Sequence, residues 1–116
     1  MLHQEDLNRF TGTEQYYRHS IGNFLYTDGI HYLAEKGKCY WLLDVIGSYQ
    51  RDVKVKNVPF QVWRLDVNED KTACVTMRED DDTPVIIEQK IPYSDFPLEQ
   101  IELYFIDVVL LLPSEY

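Results

Sequence analysis

The chain has 116 residues, 45% of them hydrophobic and 14% aromatic, and a formal net charge of −9. That length suits one domain rather than two cores, and the apolar content excludes a chain that stays unfolded. The charge excludes a nucleic-acid binder, which needs a basic footprint to displace counterions from phosphates, and it disfavours an anionic membrane surface.

The opening stretch MLHQEDLNRF has no basic segment followed by an apolar one, so no secretory leader is expected. Residues 4 to 9 suit one helical turn with Leu7 and Phe10 docking inward. TGTEQYYRHS permits two readings. Thr11 and Glu14 have the spacing of a capping box, whereas Tyr16 and Tyr17 favour strand with Gly22-Asn23 as a turn. The preferred reading is a hairpin, Gln15 to His19 against Phe24 to Tyr26.

Thr27 or Asp28 is the expected N-cap of a short helix, GIHYLAEK, with Gly37 taking the left-handed position that stops it. A core helix follows from about Cys39 to Gln50. At 100° per residue, Cys39, Trp41, Leu42, Leu43, Val45, Ile46 and Tyr49 fill one broad arc, so this helix is covered on more than one side.

Beyond residue 60 the period falls to two. FQVWRLDV carries Trp63, Leu65 and Val67 on one face, with Gln61, Arg64, Asp66 and Asn68 assigned as its polar residues. TACVTM and VIIEQKIPY continue an antiparallel meander, with Val85, Ile87, Ile91 and Tyr93 on the inner parity of the latter. SDFPLEQI suggests one helical turn capped by Ser94 or Asp95. ELYFID and VVLLLPSEY read as two last strands reversing at Asp107. Both parities of the final strand are apolar, as in a central strand, and Pro113 ends its hydrogen bonding. The ten-residue apolar run Leu103 to Leu112 contains Asp107 and is strand material, since a spanning helix needs ~20 residues. The expected fold is α+β: a single domain with short N-terminal helices and one core helix on an antiparallel meander of about five strands, with a preceding hairpin.

With these segments in place, the chain resembles a family of short bacterial proteins of unknown function. The matching stretches are FTGTEQYYRH, YTDGIHYLAE, YWLLDVI, FQVWRLDVNED, IPYSDFPLEQIELY and LLLPSEY. The resemblance implies a bacterial, plasmid- or phage-linked cytoplasmic protein and transfers no catalytic residue. KGKCYW departs from the family in its Lys and Cys, and IDVV in lacking a glycine at the final turn.

Motifs for chemistry are sparse. DVNEDK starts like a calcium loop, but Lys71 and Met77 stand where the loop needs glycine and a bidentate glutamate. Cys39 and Cys74 form no CxxC pair, and the histidines lack zinc spacing, so no metal and no cofactor is expected. Cys39 at a helix start, with His19 and Asp28, could form a nucleophilic triad. The favoured reading buries Cys39 as an inert thiol. What is left is the opening cluster: Tyr16, Arg18, His19, Tyr26, Asp28, Trp41 and Asp44 are the candidate binding residues. His19 would pair with Asp28 or Asp44, and Arg18 with Glu14 or Asp44. Three functions follow: a non-catalytic module binding another protein through an acidic or aromatic surface, a small-ligand binder or modest enzyme using the Tyr/Arg/His/Asp cluster, and an acidic DNA mimic. An apolar edge at Val108 to Leu112 would offer a homodimer by strand pairing.

Overall fold

A wide apolar helix beside strands of period two calls for two layers. The computed structural model, which describes residues 2–19 and 22–116, builds them. The described residues form α1 (Gln4–Asn8), β1 (Tyr16–Arg18), β2 (Leu25–Thr27), α2 (Asp28–Gly37), α3 (Tyr40–Tyr49), β3 (Phe60–Val67), β4 (Ala73–Arg78), β5 (Ile87–Ile91), β6 (Gln100–Ile106), β7 (Val109–Leu111) and a 3-10 turn, Pro113–Glu115. The radius of gyration, 13.3 Å, matches the ~13 Å expected of one domain this long. Among the described residues, no helix is long and apolar enough to cross a membrane.

All seven strands belong to one sheet, in the order β1-β2-β7-β6-β3-β4-β5. The β3-β4-β5 meander and the β1–β2 hairpin form as expected, but β6 pairs with β3 rather than β5, so the last five strands are not one continuous meander, and the hairpin is part of the sheet rather than a separate element. The reason is a parallel pairing of β2 with β7, Leu25 opposite Val109 and Tyr26 opposite Leu110, which makes the sheet mixed. β7 is therefore central, as its two apolar parities require. The segment Val108 to Leu112 is thus no open edge for a homodimer; among the described residues the edges are β1 and β5.

The helices cover one face. Leu42, Leu43 and Ile46 of α3 and Ile30 and Leu33 of α2 are buried with Trp63, Leu65, Val75, Met77, Leu103 and Leu110 from the sheet's inner parity. Each large side chain removed from water contributes about 1.5–3 kcal/mol. Tyr49 fastens α3 across this layer, its ring 5.8 Å from Trp63 and its hydroxyl donating to Gln89 Oε1 at 2.7 Å.

Several local expectations are corrected. Gly37 does not take the left-handed position; Lys38 does, at φ 51°, while Gly37 ends α2. A Cβ there would lie 2.7 Å from the buried Phe96 ring, so close packing is what needs the glycine. Residues 94–99 are irregular, with bends at 97–99, rather than a helical turn. Pro97 disfavours a helical Phe96, whose N–H instead meets Ser94 Oγ at 3.2 Å. Val85 and Tyr93 lie outside β5 and are exposed. Gln61 is buried on the Trp63 parity. It exchanges amide hydrogen bonds with Gln50 and accepts from Trp63 Nε1 at 2.9 Å, so a polar residue fills a core position with its partners supplied.

The β6–β7 reversal has Asp107 at φ 49° and Val108 at φ 58°, an unusual conformation for a β-branched residue. It aims the Val108 carbonyl at β2, where Leu25 N donates to it at 2.9 Å. Seven residues further on, Glu115 closes the same seam. Its carboxylate accepts from Thr27 Oγ1 at 2.6 Å, Leu112 N at 3.0 Å and Gly29 N at 3.2 Å, beside the N-terminus of α2. Glu115→Ala leaves the buried Thr27 hydroxyl without this acceptor. The expected destabilisation is about 2–3 kcal/mol, measured as a lower urea midpoint at unchanged m-value.

Candidate functional site

The seven candidate residues do not converge on one pocket, because strand alternation divides them. Tyr17 points toward α2, where its ring stacks on His31 at 4.2 Å and on Tyr26 at 5.5 Å. Tyr16 and Arg18 therefore face the other way. Tyr16 is 59% exposed, and Arg18 reaches across the hairpin to Asn23 Oδ1 at 3.3 Å, not to Glu14 or Asp44. Tyr26 is buried and Trp41 half-buried.

His19 and Asp44 do meet. His19 Nε2 lies 2.7 Å from Asp44 Oδ1, and Gly22 N donates to His19 Nδ1 at 2.7 Å. Since Nδ1 accepts, the ring's proton is assigned to Nε2, where it donates to the carboxylate. The ring also stacks on Phe24 at 4.7 Å. A general base needs a nitrogen free to take a proton from substrate. Both nitrogens here are engaged, Nδ1 within the hairpin's own turn and Nε2 in fastening the hairpin to α3. A cleft of about 390 Å³ lies beside the pair, with Gly22, Gly47, Ser48 and Arg51 among its lining residues, but the imidazole presents no lone pair to it.

Asp28 works separately at the start of α2. It accepts from Glu14 N at 2.9 Å and Gln15 N at 3.4 Å, while its own N–H donates to Thr13 Oγ1 at 2.9 Å. The backbone N–H of Glu14 is the main cause holding its carboxyl below the ordinary value of 3.8, against the opposing effect of partial burial. Thr27, not Asp28, is the N-cap. Nearby, Tyr40 donates to Glu35 Oε1 at 2.9 Å, and burial followed by that carboxylate pushes its phenol up to about 12.

The proposed thiol triad is not assembled. Cys39 is completely buried, and burial pushes its pKa up to about 12, the opposite of an activated nucleophile. Burial, then the charges of Glu88 and Asp66, also raise Cys74. In the DVNEDK turn, Asp70 is engaged with Thr72, accepting from its hydroxyl at 2.6 Å and its N–H at 3.0 Å. Among the described residues, no three His, Cys, Asp or Glu side chains gather as for a metal ion.

A different surface stands out, one that no motif for chemistry marks. The sheet face away from the helices carries Phe60, Val62, Tyr104, Ile106, Val109 and Leu111 at one end. Phe60, Tyr104 and Tyr116 form a ring cluster with centroids 5.0, 5.4 and 5.8 Å apart, and Tyr116 is 76% exposed. The available signal was apolar residues at the parity where Arg64, Asp66 and Glu102 stand further along the same strands. Arg64 pairs with Asp66 at 3.1 Å, and burial raises the Glu102 carboxyl.

Two outcomes are expected. A depressed Asp28 pKa favours the fold above the unfolded value near 3.8 and loses that contribution as pH falls through the folded value. Asp28→Asn should therefore flatten the fall in urea stability on the acid side of pH 4, relative to wild type. Thiol titration near neutral pH should leave Cys39 unreacted in the folded chain and modify it once denaturant is added.

No curated protein and no solved structure matches the chain. A family model, described as a family of unknown function (DUF6876), matches residues 1–116. The chain therefore belongs to the DUF6876 family.

Proposed function

We propose that this chain is a non-catalytic accessory module of the bacterial cytoplasm that binds another protein through the open face of its sheet. The observation that carries this reading is the Phe60, Tyr104 and Tyr116 ring cluster on the sheet face opposite α2 and α3. Clustered rings in contact with water are a usual composition for interface hot spots, because they bury much area with little loss of side-chain freedom. The apolar end grades into a strip where Arg64, Asp66, Arg78 and Glu102 alternate in sign. An interface of this kind has an apolar centre and a polar rim. With a net charge of −9, the surrounding surface draws a partner carrying basic groups around an apolar patch.

The other two readings have less support. The His19–Asp44 pair has both imidazole nitrogens engaged, so the histidine offers no free nitrogen for acid–base work. The unbroken rows of carboxylates expected of a DNA mimic are interrupted on the sheet by Arg64, Arg78 and Lys90.

Quantitative affinity capture with a tagged chain tests the reading. Proteins recovered reproducibly by wild type should fall at least about tenfold with Tyr104→Ala/Tyr116→Ala, the loss typical of a hot spot. Tyr93→Ala, which removes an exposed ring elsewhere, should recover them undiminished. Circular dichroism establishes that both variants are folded. No reproducible partner, or equal recovery by all three chains, rejects the proposal.

A further inference from the structure

We propose that β5 is a self-complementary edge at which a second copy of this chain adds by antiparallel pairing, joining two seven-stranded sheets into one. Among the described residues, β5 pairs only with β4 and ends the sheet. Its sequence, Ile87-Glu88-Gln89-Lys90-Ile91, is chemically palindromic about Gln89. A two-fold axis there sets Ile87 against Ile91 of the second copy and Glu88 against its Lys90, twice over. Opposite charges directly across a strand pair are favourable, and like charges unfavourable.

The backbone is in phase with this register. Asn68 N donates to Thr72 O on one side of β3, and Val67 N to Glu99 O on the other. Even residues of β3 therefore bond to β4. By alternation, odd residues of β4 then bond to β5, where Val75 stands opposite Gln89. The N–H and C=O of Glu88 and Lys90 consequently point off the edge. Pairing Glu88 with Lys90 of the second copy, and the reverse, uses all of them in four backbone hydrogen bonds.

The side chains agree. Glu88 and Lys90 are both exposed on the open sheet face, while Gln89 points inward to Tyr49. Val85 and Tyr93, exposed at 40% and 66%, flank Gln89 four residues to either side, so the axis directs each toward the other in the second copy. The inference concerns a different surface from the ring cluster and does not depend on that reading.

Five residues of edge bury less than the ~1,200 Å² of a standard interface, so the dimer is weak, with a dissociation constant in the micromolar range. At ~0.15 M salt the Debye length of ~8 Å screens the net charges of the two chains from each other far more than ion pairs in contact.

Sedimentation equilibrium over a concentration series from ~1 µM to ~1 mM tests the proposal. Wild type should dimerise. E88K and K90E each set like charges across both pairs and should weaken self-association at least about tenfold. Mixing E88K with K90E should restore it as a heterodimer, and the E88K/K90E swap should restore it within one chain. Wild type that stays monomeric throughout the series overturns the proposal. So does undiminished self-association of E88K, or a mixture and a swap that both fail to recover association although circular dichroism shows the variants folded.

Discussion

Much of this fold depends on the parallel seam between β2 and β7. Without it, β1 and β2 would be a two-stranded hairpin, marginal in water when alone. Pairing with β7 places that hairpin in a sheet whose inner face is already covered by α2 and α3. The seam is short, two residue pairs, and it is closed from both ends: Val108 O accepts from Leu25 N, and Glu115 bridges Thr27, Gly29 and Leu112. Gly29 belongs to the same constraint, because a Cβ there would sit 2.5 Å from Glu115 Oε1.

The polar residues that draw the eye in the sequence are mostly engaged in holding this arrangement. His19 clasps its own turn and Asp44, Asp28 gathers the 13–15 loop onto α2, and Gln61 satisfies a buried Trp63 indole. Each is a hydrogen-bonding device at a place where chain direction changes or a polar atom is buried. Two such devices close together in sequence, at His19 and Asp28, can be mistaken for an active site. Geometry separates them: each of these groups is occupied within the chain, whereas the rings of Phe60, Tyr104 and Tyr116 gather on the far side of the sheet.

Local pattern carried much of the architecture. The wide arc of α3 requires burial on several sides, and period two in residues 60–78 gives the inner and outer faces of β3 and β4, Gln61 excepted. Apolar residues at both parities of VVLLL correctly place β7 in the interior. What local pattern did not carry is set by long-range pairing. Nothing near Leu25 announces Val109 as its neighbour, and Glu115 lies 88 residues from the Thr27 that it binds. Gly37 misled for a related reason: its role is fixed by Phe96, far along the chain, rather than by the helix end it sits on. At the candidate site, Asp44 as the partner of His19 was among the sequence alternatives. The ring cluster was not, because Tyr116 joins Phe60 and Tyr104 only once the chain turns back after Pro113.

The distance between Thr27 and Glu115 also has a consequence in time. Sequential synthesis at about 5–20 residues per second delivers residues 16–27 several seconds before residues 109–115 exist. Throughout that interval the first hairpin has no strand to lie beside, and its tyrosines and Phe24 stay open to whatever else is near. A nascent chain of this kind should therefore engage holding chaperones early and release them abruptly, when β7 emerges and fills the gap between β2 and β6.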